Sequence, residues 1–340
     1  MRKKFIIFSL IVAIALIIAV TTFNKVKVLS LDHNLTKVKN LYIDTADNLN
    51  HFLYKIKIDA NTKEKKLLLK RPVQEAYPTS AYSEKNNRIY FSKSIENKST
   101  QLFEKDLNNN QTKQLTKDLN FIDFLSLNRS KQLIYIRALV GNTDRNFHIA
   151  TYNLLTSKYE VWNPHDSDTS VVWFDYNAKA NKILAVTKSI KEEFENIDKA
   201  NKTKTAPIPP VYKISLYTED GNLEKEVLVL KKFVRSAALS DNGKTILINY
   251  KDGIEPNKPS IVAKYSIDRH SLKPLLQDSK QIFNIRNPIY DQKNNGYYFI
   301  ADDNPIGSSS SVKYFNFKTN EIKQVFHTEN EVIIKIYINN

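Results

Sequence analysis

The sequence predicts an all-β protein built radially, a β-propeller of about six blades, and three observations carry that prediction. The first is a strand-turn-strand phrase that returns about every 40 to 50 residues, the spacing of propeller blades. Leu29-Ser30-Leu31-Asp32-His33-Asn34 leads into Val38-Lys39-Asn40-Leu41-Tyr42-Ile43, and Leu125-Ser126-Leu127-Asn128-Arg129-Ser130 into Lys131-Gln132-Leu133-Ile134-Tyr135-Ile136. Ala238-Leu239-Ser240-Asp241-Asn242-Gly243-Lys244 leads into Thr245-Ile246-Leu247-Ile248, with looser copies at 81–91, 173–185 and 289–300. The second is that each unit divides into four short apolar runs joined by polar turns. The third is composition. With 6 Gly, 11 Pro, 18 Tyr and 17 Phe in 340 residues, the chain is neither disordered nor collagenous, and its aromatics suit pleated strands. One propeller uses nearly the whole length, so a single folded body is expected.

The N-terminus comes first in chain order. Arg2, Lys3 and Lys4 precede an apolar run from Phe5 to Phe23, broken only by Ser9 and Thr21-Thr22. As a helix rising about 1.5 Å per residue, that run just spans the hydrocarbon core of a bilayer. A cleaved signal peptide would carry a shorter run followed by a small-x-small site. The nearest such site, Ala19-Val20-Thr21, lies inside the run. The expectation is a signal anchor over residues 1–25 with a transmembrane helix at 5–23. The positive-inside rule favours a cytoplasmic N-terminus and a propeller outside, although Lys25 and Lys27 beyond the span oppose it. No second span follows.

The blades are expected at about 26–71, 72–117, 118–165, 166–231, 232–280 and 281–328. The third unit reads most clearly, as Phe121 to Leu127, Gln132 to Ala138, Phe147 to Tyr152 and Lys158 to Trp162, with a polar turn at Asn153–Ser157. The second repeats its outer hairpin with Gln101–Leu107 and Thr112–Thr116, and the sixth with Val312–Phe317 and Glu321–Val325. The fourth carries an insertion at 188–211, helix-like from Ile190 to Ile197 and ending Pro207-Ile208-Pro209-Pro210. Val332 to Ile338 is a strand left over once six blades are complete. A closed propeller needs a clasp between its ends, and this strand competes with Val26–Leu31 for the innermost place in blade 1.

The phrase Leu239-Ser240-Asp241-Asn242-Gly243-Lys244-Thr245-Ile246 resembles the Ser-Pro-Asp-Gly-Lys turn of WD40-like, TolB-type propeller repeats. Their outer hairpin is echoed from Asp106-Leu107 to Gln114-Leu115-Thr116. The resemblance covers roughly 26–328. Only one copy keeps the Asn-Gly turn and none keeps the Pro, so it implies the six-bladed fold more firmly than any subfamily. It also implies a role in partner binding.

The chain has no cysteine, which removes disulfides, thiolate metal sites, Cys nucleophiles and a lipoprotein anchor together. There is no Gly-x-Ser-x-Gly elbow, Walker loop, paired-glycine dinucleotide fingerprint or His-Glu-x-x-His. His33, His51, His148, His165, His270 and His327 are scattered at unmatched positions. Three groupings carry cation-ligand chemistry: His165-Asp166-Ser167-Asp168, Asp302-Asp303-Asn304, and Asp44 and Asp47 with His51. Each reads better as a solvated turn, because none matches a cation-loop spacing. Trp162, Trp173 and Phe174 could line a sugar- or peptide-binding face, but inter-blade packing is the plainer reading. No catalytic, cofactor-binding or metal-binding residue is assigned.

The formal charge of +15 favours polyanions, although a Lys-rich surface such as Lys63-Glu64-Lys65-Lys66 also protects strand edges. The expected function is a non-enzymatic binding or scaffold module of a bacterial cell envelope, held outside the cell membrane by its anchor. Its partner would be a protein or an anionic envelope polymer, with no nucleic acid expected. The alternative is an enzyme whose active site lies in the central channel, assembled from several blades.

Overall fold

The computed structural model describes residues 40–338 apart from 59–62, 74, 96–98, 141–144, 256–257, 280–281, 305–306 and 308. The expected anchor at 1–25 and the segment Val26–Leu31 lie outside the described residues. Among those described, no helix is long and apolar enough to cross a membrane.

Six four-stranded antiparallel sheets make six blades. Blade 1 contains β1 (Asn40–Ala46), β2 (Asn50–Ile58) and β3 (Lys63–Pro72); blade 2 contains β4 (Ser80–Ser83), β5 (Arg88–Ser94), β6 (Thr100–Asp106) and β7 (Thr112–Gln114). Blade 3 runs through β8 (Phe121–Asn128), β9 (Leu133–Leu139), β10 (Phe147–Asn153) and β11 (Lys158–Val161). Blade 4 has β12 (Thr169–Asn177), β13 (Lys182–Ser189), β14 (Tyr212–Thr218) and β15 (Leu223–Leu230), with the helix α1 (Ile190–Thr203) between its second and third strands. Blade 5 has β16 (Phe233–Leu239), β17 (Thr245–Lys251), β18 (Ser260–Ser266) and β19 (Ser271–Gln277). Blade 6 has β20 (Phe283–Asp291), β21 (Gly296–Asp302), β22 (Ser310–Asn316) and β23 (Ile322–Thr328). The last strand, β24 (Val332–Ile338), returns to blade 1 and pairs with β1 from Leu41 opposite Ile338 to Ala46 opposite Val332. It takes the innermost position that β4, β8, β12, β16 and β20 hold in the other blades, so the leftover strand is the clasp.

The recurring phrase has a backbone cause. Each turn from a first to a second strand in blades 2 to 6 contains one residue with positive φ: Asn87, Gln132, Asn181, Gly243 and Asn295. Asn and Gly enter that region at least cost, which is why Asn, Asp and Gly recur there. The strands that follow are buried on both faces by neighbouring blades, so Ile134-Tyr135-Ile136 and Ile246-Leu247-Ile248 are fully buried and apolar without alternation. Outer strands meet solvent, and β15 is mostly exposed.

All innermost strands run in one sense, which gives the molecule a strand-start face and a strand-end face. Ser189, opposite Thr169 at the start of β12, sends α1 out on the strand-start face. Its Oγ caps the helix by accepting from Glu192 N at 3.0 Å. Glu192 in turn accepts from Val211 N at 2.9 Å, fixing the return of the insertion. Leu41 and Ile338, paired at the edge of one sheet, both lie on the strand-end face.

Candidate functional site

The six innermost strands surround an axial channel, which a waist divides into two cavities. The strand-end cavity, about 390 Å³, is lined by residues of all six, including Asn128, Asp175, Asn177, Asn287 and Tyr337. The strand-start cavity, about 450 Å³, is lined by Tyr77, Thr79, Phe121, Asp123, Arg137, Phe147 and Arg235 among others. Phe124, Trp173 and Lys335 line both. The Phe124 and Trp173 rings lie 4.4 Å apart, and the Trp173 indole donates to the Ala237 carbonyl at 2.9 Å. Lys335 Nζ sits 4.6 Å from the Phe124 centroid and 4.8 Å from that of Tyr337.

Lys335 belongs to the clasp strand yet reaches across two other blades. Its ammonium donates to the Ser80 carbonyl at 3.1 Å and to the Leu125 carbonyl. The residue is only 4% exposed and makes no ion pair among the described residues. Burial pushes the amine down to about 8, with Asp44 opposing. Asp44 is committed elsewhere: it accepts from Ser80 N at 2.9 Å and lies 3.1 Å from His51 Nε2, both side chains being fully buried.

The two cavities differ in charge. On the strand-start side, Arg137 pairs with Asp123 at 2.6 Å, donates to the Val171 carbonyl at 2.8 Å and stacks 3.9 Å over the Phe147 ring. Arg235, exposed on this side, makes no ion pair among the described residues. Nor does nearby Lys251, whose amine is pushed down by burial and then by Arg235. Among the described residues, Arg137, Arg235 and Lys335 therefore face one carboxylate, Asp123, in the cavity lining, among the rings of Tyr77, Phe121, Phe124, Phe147 and Trp173. On the strand-end side, Asp175 accepts from Leu239 N at 2.9 Å. Burial pushes its carboxyl up to about 6, with Asp241 adding to the shift.

The groupings singled out in the sequence take structural places. Asp166 accepts from Asp168 N at 3.0 Å and Thr169 N at 2.8 Å. Asp168 accepts from Ser189 Oγ and from Lys191 N at 2.8 Å, anchoring α1 to the start of blade 4. Asp302 pairs with Arg286 at 2.9 Å, and Asp47 accepts from Leu49 N and Asn50 N in a tight turn. Asp303 pairs with Lys313 at 2.9 Å and touches Ser311 and His327. That Ser-His-Asp contact has the wrong geometry for a catalytic triad: both Ser311 Oγ and Asp303 approach His327 Nδ1, at 3.2 Å each, and Ser311 is buried. A triad places its serine and its aspartate on opposite ring nitrogens. Among the described residues, no three His, Asp or Glu side chains stand close enough to hold a metal ion. Phe174 is fully buried and Trp162 packs against Tyr135 and Tyr217, whereas Trp173 lines the channel. Sequence reasoning missed Lys335, Arg137 and Arg235. The available signal was a lone cation inside an otherwise apolar strand, most plainly in Val332-Ile333-Ile334-Lys335-Ile336-Tyr337-Ile338.

No protein-family model matches the chain. The Bacillus subtilis (strain 168) protein YdjN is 24% identical over 280 residues, which is 78% of this chain and 79% of that protein. TolB from Acinetobacter baumannii superposes with a TM-score of 0.58 at 15% identity, over 88% of this chain and 66% of that one. The chain thus spans just under two thirds of that relative's length. A putative TolB from Agrobacterium tumefaciens gives 0.56 at 10% identity, covering 88% and 93%. An oligogalacturonate lyase in complex with manganese gives 0.50 at 9%, covering 86% and 73%. These likenesses establish a TolB-like six-bladed propeller as the fold.

Proposed function

We propose that this chain is a non-enzymatic binding module whose strand-start face engages an anionic polymer of the bacterial envelope. The N-terminal segment at 5–23 would anchor it in the cell membrane with the propeller outside. One observation carries the reading: Arg235 and Lys335 line an aromatic cavity and Lys251 stands near Arg235, none of the three in a salt bridge among the described residues and only Asp278 offsetting the charge of Arg235 and Lys251. Unpaired cations in partly buried positions gain most from an anion, which restores the charge balance that burial removed. The TolB-like fold agrees with a partner-binding role.

The test is titration of the purified protein against anionic and neutral vesicles and wall fragments. Affinity for the anionic surfaces should fall about tenfold or more between low and physiological salt, because bound counterions are released and exposed charges screened. The double variant Arg235→Gln/Lys251→Gln should weaken it several-fold. Binding indifferent to salt would instead favour a packed protein interface, to which the exposed side chains of Leu49, Tyr77, Phe194 and Ile254 on the same face would contribute.

Asp175 favours a second reading, an enzyme acting in the strand-end cavity. A carboxyl raised to about 6 inside a cavity is poised for proton transfer near neutral pH. The lyase among the structural neighbours is a fold-level hint in that direction. Turnover of any envelope polysaccharide that is lost in Asp175→Asn would establish it.

A further inference from the structure

The strand-start cavity ends at a single buried amine, and this gives it a direction. Lys335 spends two N–H groups on the Ser80 and Leu125 carbonyls. An ammonium has three, and the third finds no acceptor among the described residues. Thr79, fully buried and lining the same cavity, has a hydroxyl with no hydrogen-bond partner. Among the described residues Asp123 is the only carboxylate in that lining, and its charge is taken by Arg137. At the waist, the Phe124 and Trp173 rings and the Lys335 stem stand between this cavity and the strand-end one.

We propose that the strand-start cavity is a terminal subsite, taking one anionic end group, a carboxylate or a phosphate, onto the Lys335 ammonium and the Thr79 hydroxyl. The inference rests on the anionic-polymer reading and sharpens it: the chain end enters, and the rest of the polymer lies across the cations of the outer face. A buried ammonium with no salt bridge of its own gains from an anion that reaches it, and a charge-assisted bond at a buried position is stronger than its surface equivalent. Arg235, exposed on the same side, supplies the approach. The Phe121, Phe124, Phe147 and Trp173 rings offer no competing acceptor and fit the apolar face of a sugar or the methylenes of a chain. A carboxylate and a phosphate share the chemistry that Lys335 recognises, so the probes must separate them.

The experiment uses the full chain carrying Trp162→Phe, which leaves Trp173 at the waist as the sole indole. Its fluorescence is followed during titration with inorganic phosphate and, separately, with acetate, at constant ionic strength. Saturable change is expected. Tighter binding of phosphate would identify a phosphate-ended ligand, and tighter binding of acetate a carboxylate-ended one. Lys335→Met should weaken the preferred anion about tenfold or more and Thr79→Val by a few-fold, with Arg235→Gln weakening it modestly and flattening the dependence on added salt. No saturable change, or equal binding by a folded Lys335→Met protein, overturns the proposal. Should Lys335→Met fail to fold, Thr79→Val and Arg235→Gln decide: wild-type affinity in both overturns it equally. Parallel titration with long poly-glutamate keeps the two readings apart. Salt-sensitive polymer binding without any response to the small anions removes the subsite alone, whereas loss of both removes the anionic-polymer reading as well.

Discussion

Asp175 illustrates how a residue's position, invisible in sequence, sets its chemistry. It stands in Trp173-Phe174-Asp175-Tyr176-Asn177, where nothing separates it from any strand-end aspartate, yet it lines the axial channel under the Leu239 amide. Burial raises its carboxyl from 3.8 to about 6. Between those values the folded protein holds a proton that the unfolded chain has released. The contribution of Asp175 to stability must therefore fall as pH rises from about 4 to about 6, and that cost persists above. Asp175→Asn should remove that contribution from the pH dependence and stabilise the protein at pH 7 by about 1–3 kcal/mol. Thermal melting of both proteins from pH 4 to 8 checks this, and an unchanged slope would refute it. The same blindness hid Lys335 and Arg235. A lone cation in an apolar strand reads as an edge-protecting or solvated residue until closure shows that it faces the axis.

Elements were far more legible, because their signals are local. The strands of blade 3, expected at Phe121 to Leu127, Gln132 to Ala138, Phe147 to Tyr152 and Lys158 to Trp162, form at Phe121–Asn128, Leu133–Leu139, Phe147–Asn153 and Lys158–Val161. Polar turns and the demand for positive φ at Gln132 and Ser157 fix those ends within the chain itself. The helix-like run from Ile190 to Ile197 became α1, which extends to Thr203 with Lys204 in the left-handed cap position. What the sequence left hidden was its anchorage, since Asp168 lies 21 residues before the Ser189 hydroxyl it accepts from. Only Ala200 of the helix is buried, so its stability rests on capping more than on packing. Ser189→Ala should cost the helix about 1 kcal/mol. Amide exchange over residues 190–203 should accelerate about fivefold by that cost, while the melting of the propeller stays nearly unchanged. Equal exchange in the two proteins would show that packing holds α1 instead.

At the scale of the whole molecule, six blades could be counted from the period alone, but which strand completes the ring could not. β24 and the region before β1 both carry apolar runs, and the choice depends on a pairing between residues almost the full chain apart. Ile333 and Ile336 are buried at 0% and 2% exposure, and each contributes roughly 1.5–3 kcal/mol. A chain ending at Asn330 would lose both, expose the inner edge of β1 and withdraw Lys335 from the waist. It should melt well below the full-length protein or aggregate. Gel filtration and calorimetry are sufficient, and a monomer with unchanged melting would mean that another strand can substitute for the clasp.

The clasp also sets a timetable for biosynthesis. β1 leaves the ribosome early, but the strand that covers its inner edge is the last of all. At about 5–20 residues per second, some 290 residues of synthesis separate the two, an interval of roughly 15–60 seconds. Throughout it, blades 2 to 5 can form from contiguous segments while blade 1 waits with a row of unpaired amides and carbonyls. Such long-range closure is intrinsically slow, and a nascent edge of this kind can pair with a neighbouring chain before its own partner arrives. The heavily basic strands of that same blade, Lys55 and Lys57 in β2 with Lys65, Lys66 and Lys70 in β3, would make two such intermediates repel each other during the wait.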